Sequence, residues 1–243
     1  MHKNINIEGI PVYHSYPDDG KKHPGLIVIH EIWGLVPHIK DVADRFAKEG
    51  YSVLAPDLFH DLSFEGKIDQ SILDEMHDPN TKDEAQKKMR AILAPIQAPE
   101  FGKETLFKLE ECVKYLLEDA HVTSEKVGVL GLCFGGTYSL AIGALDPRIE
   151  AIVSFYGHPL KPEKIPELNC PVLAFYGDQD KNLMESLPAF KETMQAHNKD
   201  FTDVVYKNTG HAFFNDTNAR MYDKKSAEDA WEKTLKFLKA HLG

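Results

Sequence analysis

Apolar positions along the chain follow two rhythms. Short, nearly unbroken apolar runs occur at residues 25–30, 51–55, 127–130, 149–156, 171–176 and 203–206. Runs of this kind suit parallel strands covered on both faces. Between them the apolar residues repeat every three or four positions, as on a helix with one buried stripe. Helices are predicted at 40–48 (Val42, Ala43 and Phe46 inward) and at 104–117 (Leu106, Leu109, Val113 and Leu116 inward). Others are predicted from about 134 to 145, from about 184 to 197, and over 224–241, the last with Ala227, Trp231, Leu235 and Leu238 inward. Residues 5–16 alternate loosely and read as edge strands. Strands alternating with helices predict an α/β fold, a mainly parallel sheet with helices on both faces.

One stretch breaks the rhythm. Residues 58–101 are long and charged, with helical pieces expected at 68–76 and 84–93 and a proline-punctuated loop at 95–99. A helical insertion of this length is either a lid or substrate wall, or a solvated excursion without a chemical role. No repeat or linker divides the chain, so residues 1–243 are expected to form one domain.

Composition narrows the function classes. An apolar content of 42% is that of a globular protein. A formal net charge of −10 disfavours nucleic acid as a partner, because phosphate binding needs clustered cations. No apolar run approaches bilayer length, so no membrane partner is expected. The first residues alternate instead of forming a signal-peptide core, which predicts a cytoplasmic protein. Cys112, Cys133 and Cys170 are too few and too scattered for a disulfide framework or a zinc site. Nothing in the pattern assigns an oligomeric state.

The chemistry concentrates at Gly131-Leu132-Cys133-Phe134-Gly135, directly after the run 127–130. A nucleophile between two such glycines sits on a sharp turn from strand to helix, its side chain exposed above the sheet. The start of the following helix favours thiolate. Two other readings exist. Cys133 is a buried core residue, or Gly131-x-Cys133-x-x-Gly136 is an altered dinucleotide fingerprint. The second is rejected, because a side chain at the middle position blocks pyrophosphate from the backbone.

A thiol nucleophile needs a base, and the base needs an orienting group. Asp178 and Asp180 lie just after the run 171–176, and His211 lies in a glycine-containing loop just after 203–206. Nucleophile, acid and histidine thus follow the chain order of an α/β-hydrolase. Glu31, in His30-Glu31-Ile32-Trp33-Gly34, also follows a strand. It is either a structural ion-pair partner or a carboxylate placed to tune the thiol. Gly34 excludes a zincin, which needs histidine at that position. The backbone N–H groups of Ile32 and Phe134 are the candidates for an oxyanion hole.

Four segments together, His30-Glu31-Ile32-Trp33-Gly34, Gly131-Leu132-Cys133-Phe134-Gly135-Gly136, Tyr176-Gly177-Asp178-Gln179-Asp180 and Gly210-His211-Ala212-Phe213, resemble the dienelactone hydrolase family. The resemblance spans nearly the whole chain. It implies an α/β-hydrolase fold and a Cys133–His211–Asp180 triad without cofactor, with Asp180 preferred over Asp178. It also implies that Glu31 contacts the thiol and regulates its ionisation, and that Ile32 and Phe134 form the oxyanion hole. The substrate is then a small carboxylic ester or lactone, cleaved through an acyl-thioester. Trp33, Phe134, Tyr156, Phe213 and Phe214 are candidates to line its pocket, or core residues. Members that cleave dienelactone carry an arginine four residues after the histidine; here Asn215 stands there. The nearest arginine is Arg220, and Arg90 lies in the insertion. The rival of another class is a redox-sensing or non-catalytic protein with Cys133 as an oxidisable thiol. No second cysteine lies near it in sequence to resolve it.

Overall fold

The computed structural model describes residues 1–62, 72, 75, 78, 80–123 and 127–243. The N-terminal alternation resolves into two strands, β1 (His2–Ile7) and β2 (Ile10–Ser15), closed by Glu8 and Gly9. Both turn residues have positive φ, as a two-residue hairpin loop matched to strand twist requires. The apolar runs become β3 (Gly25–Ile29), β4 (Ser52–Pro56), β5 (Val127–Leu132), β6 (Ile149–Phe155), β7 (Val172–Gly177) and β8 (Phe201–Tyr206). These eight strands make one sheet in the order β1-β2-β4-β3-β5-β6-β7-β8. The pairs β1·β2 and β2·β4 are antiparallel, and every other pair is parallel. Strands β3, β4, β5 and β7 are buried at every position, as their unbroken apolar sequences predict.

Helices cover both faces. α1 (Pro37–Lys48), α2 (Lys82–Leu93), α3 (Pro99–Glu118), α4 (Phe134–Leu145), α5 (Lys181–Ala196) and α6 (Lys224–Leu242) account for the helical periodicity. Phe46 of α1 packs on Trp231 of α6, with ring centroids 4.5 Å apart, so these two helices share one face. A side chain at Gly128 of β5 would run into Leu238 and Leu242 of α6, whereas one at Gly25 of β3 would meet Leu116 of α3. Leu26 pairs with Gly128, so Gly25 points the opposite way and α3 lies on the other face.

Two helix starts differ from expectation for a common reason. α1 begins at Pro37 instead of 40, and α3 begins at Pro99 instead of 104. Proline lacks an N–H, and the first helical turn needs none there. The expected loop at 95–99 is instead a short 3-10 turn, Ala94–Gln97, leading straight into α3. In the insertion, 84–93 is helical as α2, with Ala85 and Met89 its buried residues. The helix expected at 68–76 falls largely outside the described residues.

The carboxyl ends of β3, β5, β6, β7 and β8 lie side by side along the parallel part of the sheet. Their outgoing loops carry Glu31, Cys133, Tyr156, Asp180 and His211 respectively.

Candidate active site

β5 ends at Leu132 and α4 begins at Phe134, so Cys133 alone makes the turn, with φ 55° and ψ −110°. Holding a non-glycine residue in that region costs on the order of 1–3 kcal/mol, which the surroundings must supply. They do so through the backbone. Cys133 N–H donates to the Phe155 carbonyl at 2.9 Å, and Gly135 N–H to that of His30 at 3.1 Å. A Cβ at Gly131 would collide with the Gly135 carbonyl, and one at Gly135 with the Ile29 carbonyl. The two glycines of the motif are therefore steric requirements of the turn.

His211 sits in the loop after β8, before Ala212 at φ 58°. Its Nδ1 lies 2.5 Å from Asp180 Oδ2, and Cys133 is near enough to act on the charge of the ring. With Nδ1 taken by the carboxylate, Nε2 is the nitrogen left for sulfur. Burial alone would lower the imidazole pKa. The hydrogen bond to Asp180 and the nearby Cys133 outweigh it and hold the pKa up at about 10. Burial opposes the Asp180 charge too, yet the bond to His211 keeps its carboxyl below the usual range. Asp180 also caps α5, accepting from the Leu183 N–H at 3.4 Å. One carboxylate thus starts a helix and orients a ring. Asp178 instead accepts from the Gln179 side chain at 2.9 Å.

Glu31 is 1% exposed. Its Oε1 accepts from the Tyr156 hydroxyl at 3.2 Å and its Oε2 from Asn215 Nδ2 at 2.7 Å. Burial pushes its pKa up, while Asn215, Tyr156 and the charge of His211 pull it back. Both partners are neutral donors, so Glu31 is not held as a structural ion pair. Tyr156 is fully buried, has φ 41° and packs on the His211 ring with centroids 4.9 Å apart. Its pKa is raised well above the ordinary value by burial, then by Glu31 and Cys133, so it stays a hydrogen-bond donor.

The neighbouring His30 fixes the loop that holds Ile32. Leu58 N–H donates to its Nε2 at 3.1 Å, so the proton is on Nδ1, which donates to the Glu31 carbonyl at 2.7 Å. Burial lowers its pKa to about 4. The His30 ring stacks on Phe134, with centroids 5.8 Å apart. Neither Ile32 N–H nor Phe134 N–H has a hydrogen-bond partner among the described residues.

The remaining candidates are spread more widely. Trp33 lines a cavity of about 950 Å³ with Leu35, Lys40, Phe59 and His60; neither Cys133 nor His211 borders it. Phe213 and Phe214 are buried, and each packs on Phe155. Arg90 is exposed on α2, its Nε donating to the Gln86 carbonyl, and Arg220 is exposed after the His211 loop. Among the described residues no three His, Cys, Asp or Glu side chains are grouped to hold a metal ion. No helix among them is long and apolar enough to cross a membrane.

Two contacts left no trace in the sequence. One is the bond from Asn215 to Glu31; the other is the pinning of His30 to Leu58. Both join loops remote in sequence, and no spacing rule announces them. The assembly places a thiol, an imidazole and a carboxylate in series beside free N–H groups. Such an arrangement can deliver a nucleophile to a carbonyl and receive the charge that develops on its oxygen.

Comparison with known proteins agrees with this geometry. The model of the dienelactone hydrolase family matches residues 10–242. A protein of Saccharolobus solfataricus named "Putative carboxymethylenebutenolidase" is 32% identical, over 88% of each chain. A Bradyrhizobium protein named "Probable 2-oxo-3-(5-oxofuran-2-ylidene)propanoate lactonase" is 30% identical, over 98% of this chain and 92% of its own. The crystal structure of a "Putative Dienelactone Hydrolase" from Klebsiella pneumoniae superposes with a TM-score of 0.80 at 26% identity, over 99% of both chains. The sheet and helices are those of an α/β-hydrolase, and the chain belongs to the dienelactone hydrolase family as a hydrolase of lactones or esters.

Proposed function

We propose that Cys133 is the nucleophile, His211 its base and Asp180 the group that orients the base, in a hydrolase of small lactones or esters. The thiol proton has passed to His211 Nε2, and the Cys133 thiolate attacks the substrate carbonyl carbon. The carbonyl oxygen becomes an oxyanion held by the N–H groups of Ile32 and Phe134. Collapse of this intermediate breaks the C–O bond, and His211 protonates the departing oxygen. An ester releases its alcohol at this step, whereas a lactone opens and its hydroxyl stays attached to the acyl group. His211 next takes a proton from water, which attacks the thioester. The second tetrahedral intermediate expels the sulfur as thiolate beside the protonated His211, and the carboxylic acid leaves.

The observation that carries this reading is the position of Cys133. It sits on a turn at φ 55°, near an imidazole whose Nδ1 is 2.5 Å from Asp180. The names of the relatives favour a lactone among the substrates. Three free thiols suit a reducing compartment, and we place the enzyme in the cytoplasm. A redox role for Cys133 gains no comparable support. Cys112 and Cys170 are buried, and burial pushes the Cys112 thiol up to about 12, so it offers no thiolate to resolve a sulfenic acid. A panel of p-nitrophenyl esters and small lactones, run against Cys133→Ala as the blank, tests the proposal. Turnover of at least one ester or lactone, lost in the blank, is expected; turnover that survives in the blank would overturn it.

A further inference from the structure

Asn215 stands at the position where dienelactone-cleaving members carry arginine. Its structural surroundings give it a definite task. The residue is 5% exposed, and both ends of its amide are committed. Oδ1 accepts from the Thr217 N–H at 3.1 Å and from the Thr217 hydroxyl at 2.6 Å. Nδ2 donates to Glu31 Oε2 at 2.7 Å. Rotating the amide by half a turn would set its NH2 against the Thr217 N–H and its oxygen against a carboxylate, so one orientation is favoured. The loop is closed on itself as well. Asn215 N–H donates to the Ala212 carbonyl at 3.1 Å, immediately after His211.

We propose that Asn215 is a positioning residue, oriented by Thr217, that holds the Glu31 carboxylate fixed and ionised beside the Cys133–His211 pair. The inference rests on the proposed role of Cys133, but it concerns what surrounds the thiol and needs no substrate to be tested. Glu31 is enclosed from every side. Tyr156 meets it from the loop after β6 and Asn215 from the loop after β8, where His211 adds its charge. Cys133 acts on Tyr156 through its charge, and His30 bonds to the Glu31 carbonyl. His211 is the cationic group of this cluster, so the rest of the support for a carboxylate in so dry a place comes from two neutral donors. Removing one of them raises the pH at which Glu31 takes up a proton. The Cys133 thiol, which shares the cluster, registers that change in its own reactivity.

The experiment is the rate of iodoacetamide alkylation of Cys133 against pH, read by mass spectrometry of its peptide, with the melting temperature of each variant recorded. The wild-type curve should carry an inflection that disappears in Glu31→Gln. In Asn215→Leu the inflection should move up by about one pH unit, the size expected for one lost hydrogen bond to a buried carboxylate. Asn215→Leu sits in a buried loop and can disturb folding, so the exposed partner supplies a second arm. Thr217→Val, which frees the amide to turn, should move the inflection the same way by a smaller amount, and Thr217→Ser, which keeps the hydroxyl, should restore it. A curve identical in Glu31→Gln and wild type, or an inflection that stays put in both Asn215→Leu and Thr217→Val, would overturn the proposal. Failure to hydrolyse any ester would count against the hydrolytic mechanism and leave this readout intact.

Discussion

The turn between β5 and α4 and the middle of α3 each hold a free cysteine, and the two differ in almost every other respect. Cys112 lies in regular helix with no exposed surface; burial, with a smaller contribution from Glu111, pushes its pKa up to about 12. Cys133 is half-buried at positive φ, beside an imidazole that is itself bound to a carboxylate. The same side chain is therefore an apolar filler in one place and a candidate nucleophile in the other. Backbone geometry and neighbours decide which, because a thiol reacts as thiolate and burial without a partner opposes the charge.

The sharpest way to break this contrast is to remove each thiol in turn. Cys133→Ala should reduce kcat for a turned-over ester by more than a thousandfold, since loss of a triad nucleophile costs up to about a millionfold. Cys112→Ala should leave kcat within a few-fold and lower the melting temperature by about 2–4 °C for each kcal/mol of lost packing. Equal losses of activity would erase the distinction.

The two carboxylates of the loop after β7 extend the contrast. Asp180→Asn leaves the His211 ring without its anchor and should cost about ten-thousand-fold in kcat, as loss of the orienting acid does in a serine triad. Asp178→Asn, whose carboxylate meets Gln179, should stay within a few-fold. The reverse ranking would mean that Asp178 reaches His211 in the working enzyme.

A third test uses stability. The His211 pKa is raised in the folded state to about 10 from 6.5, so the folded protein binds its proton more tightly than the unfolded chain. That contribution is fully present below pH 6.5, declines as pH rises, and is gone once pH passes about 10. The melting temperature of the wild type should therefore fall across this window more steeply than that of His211→Gln. Parallel curves would show that His211 is not held as the cation.

Much of the fold could be read from the sequence because its information is local. Buried parallel strands are unbroken apolar runs, and β3, β4, β5 and β7 carry little else. Helix interiors followed from their stripes. Two of their starts did not, because Pro37 and Pro99 look like breakers until a first turn is recognised around them. Cys133, Asp180 and His211 were legible for a similar reason: each lies just after a strand, where neighbouring loops must converge. Asn215 is different. Its partner Glu31 is 184 positions away, and only folding makes an asparagine and a glutamate adjacent. The sequence shows there an absent arginine; the structure shows what the asparagine holds.

The smallest expected effect concerns that substitution. A bidentate arginine is among the stronger carboxylate-binding groups, and the Asn215 amide is already committed to Glu31 and Thr217. Neutral esters should be turned over at least as efficiently as carboxylate-bearing lactones, compared by kcat/KM. A strong preference for the anion, lost in Arg90→Ala or Arg220→Ala, would show that an exposed arginine closes over the substrate.

The central claim is that Cys133 carries the acyl group. Wild-type protein and His211→Gln should be mixed with p-nitrophenyl acetate, quenched in acid within the first turnovers and digested for peptide mass spectrometry. In wild type, acetyl should appear on the peptide containing Cys133, be released by neutral hydroxylamine as a thioester is, and be absent from the peptides of Cys112 and Cys170. In His211→Gln its formation should be slowed. Steady turnover with no acetyl on Cys133, or acetyl lodged on another residue whose replacement abolishes activity, would contradict the account.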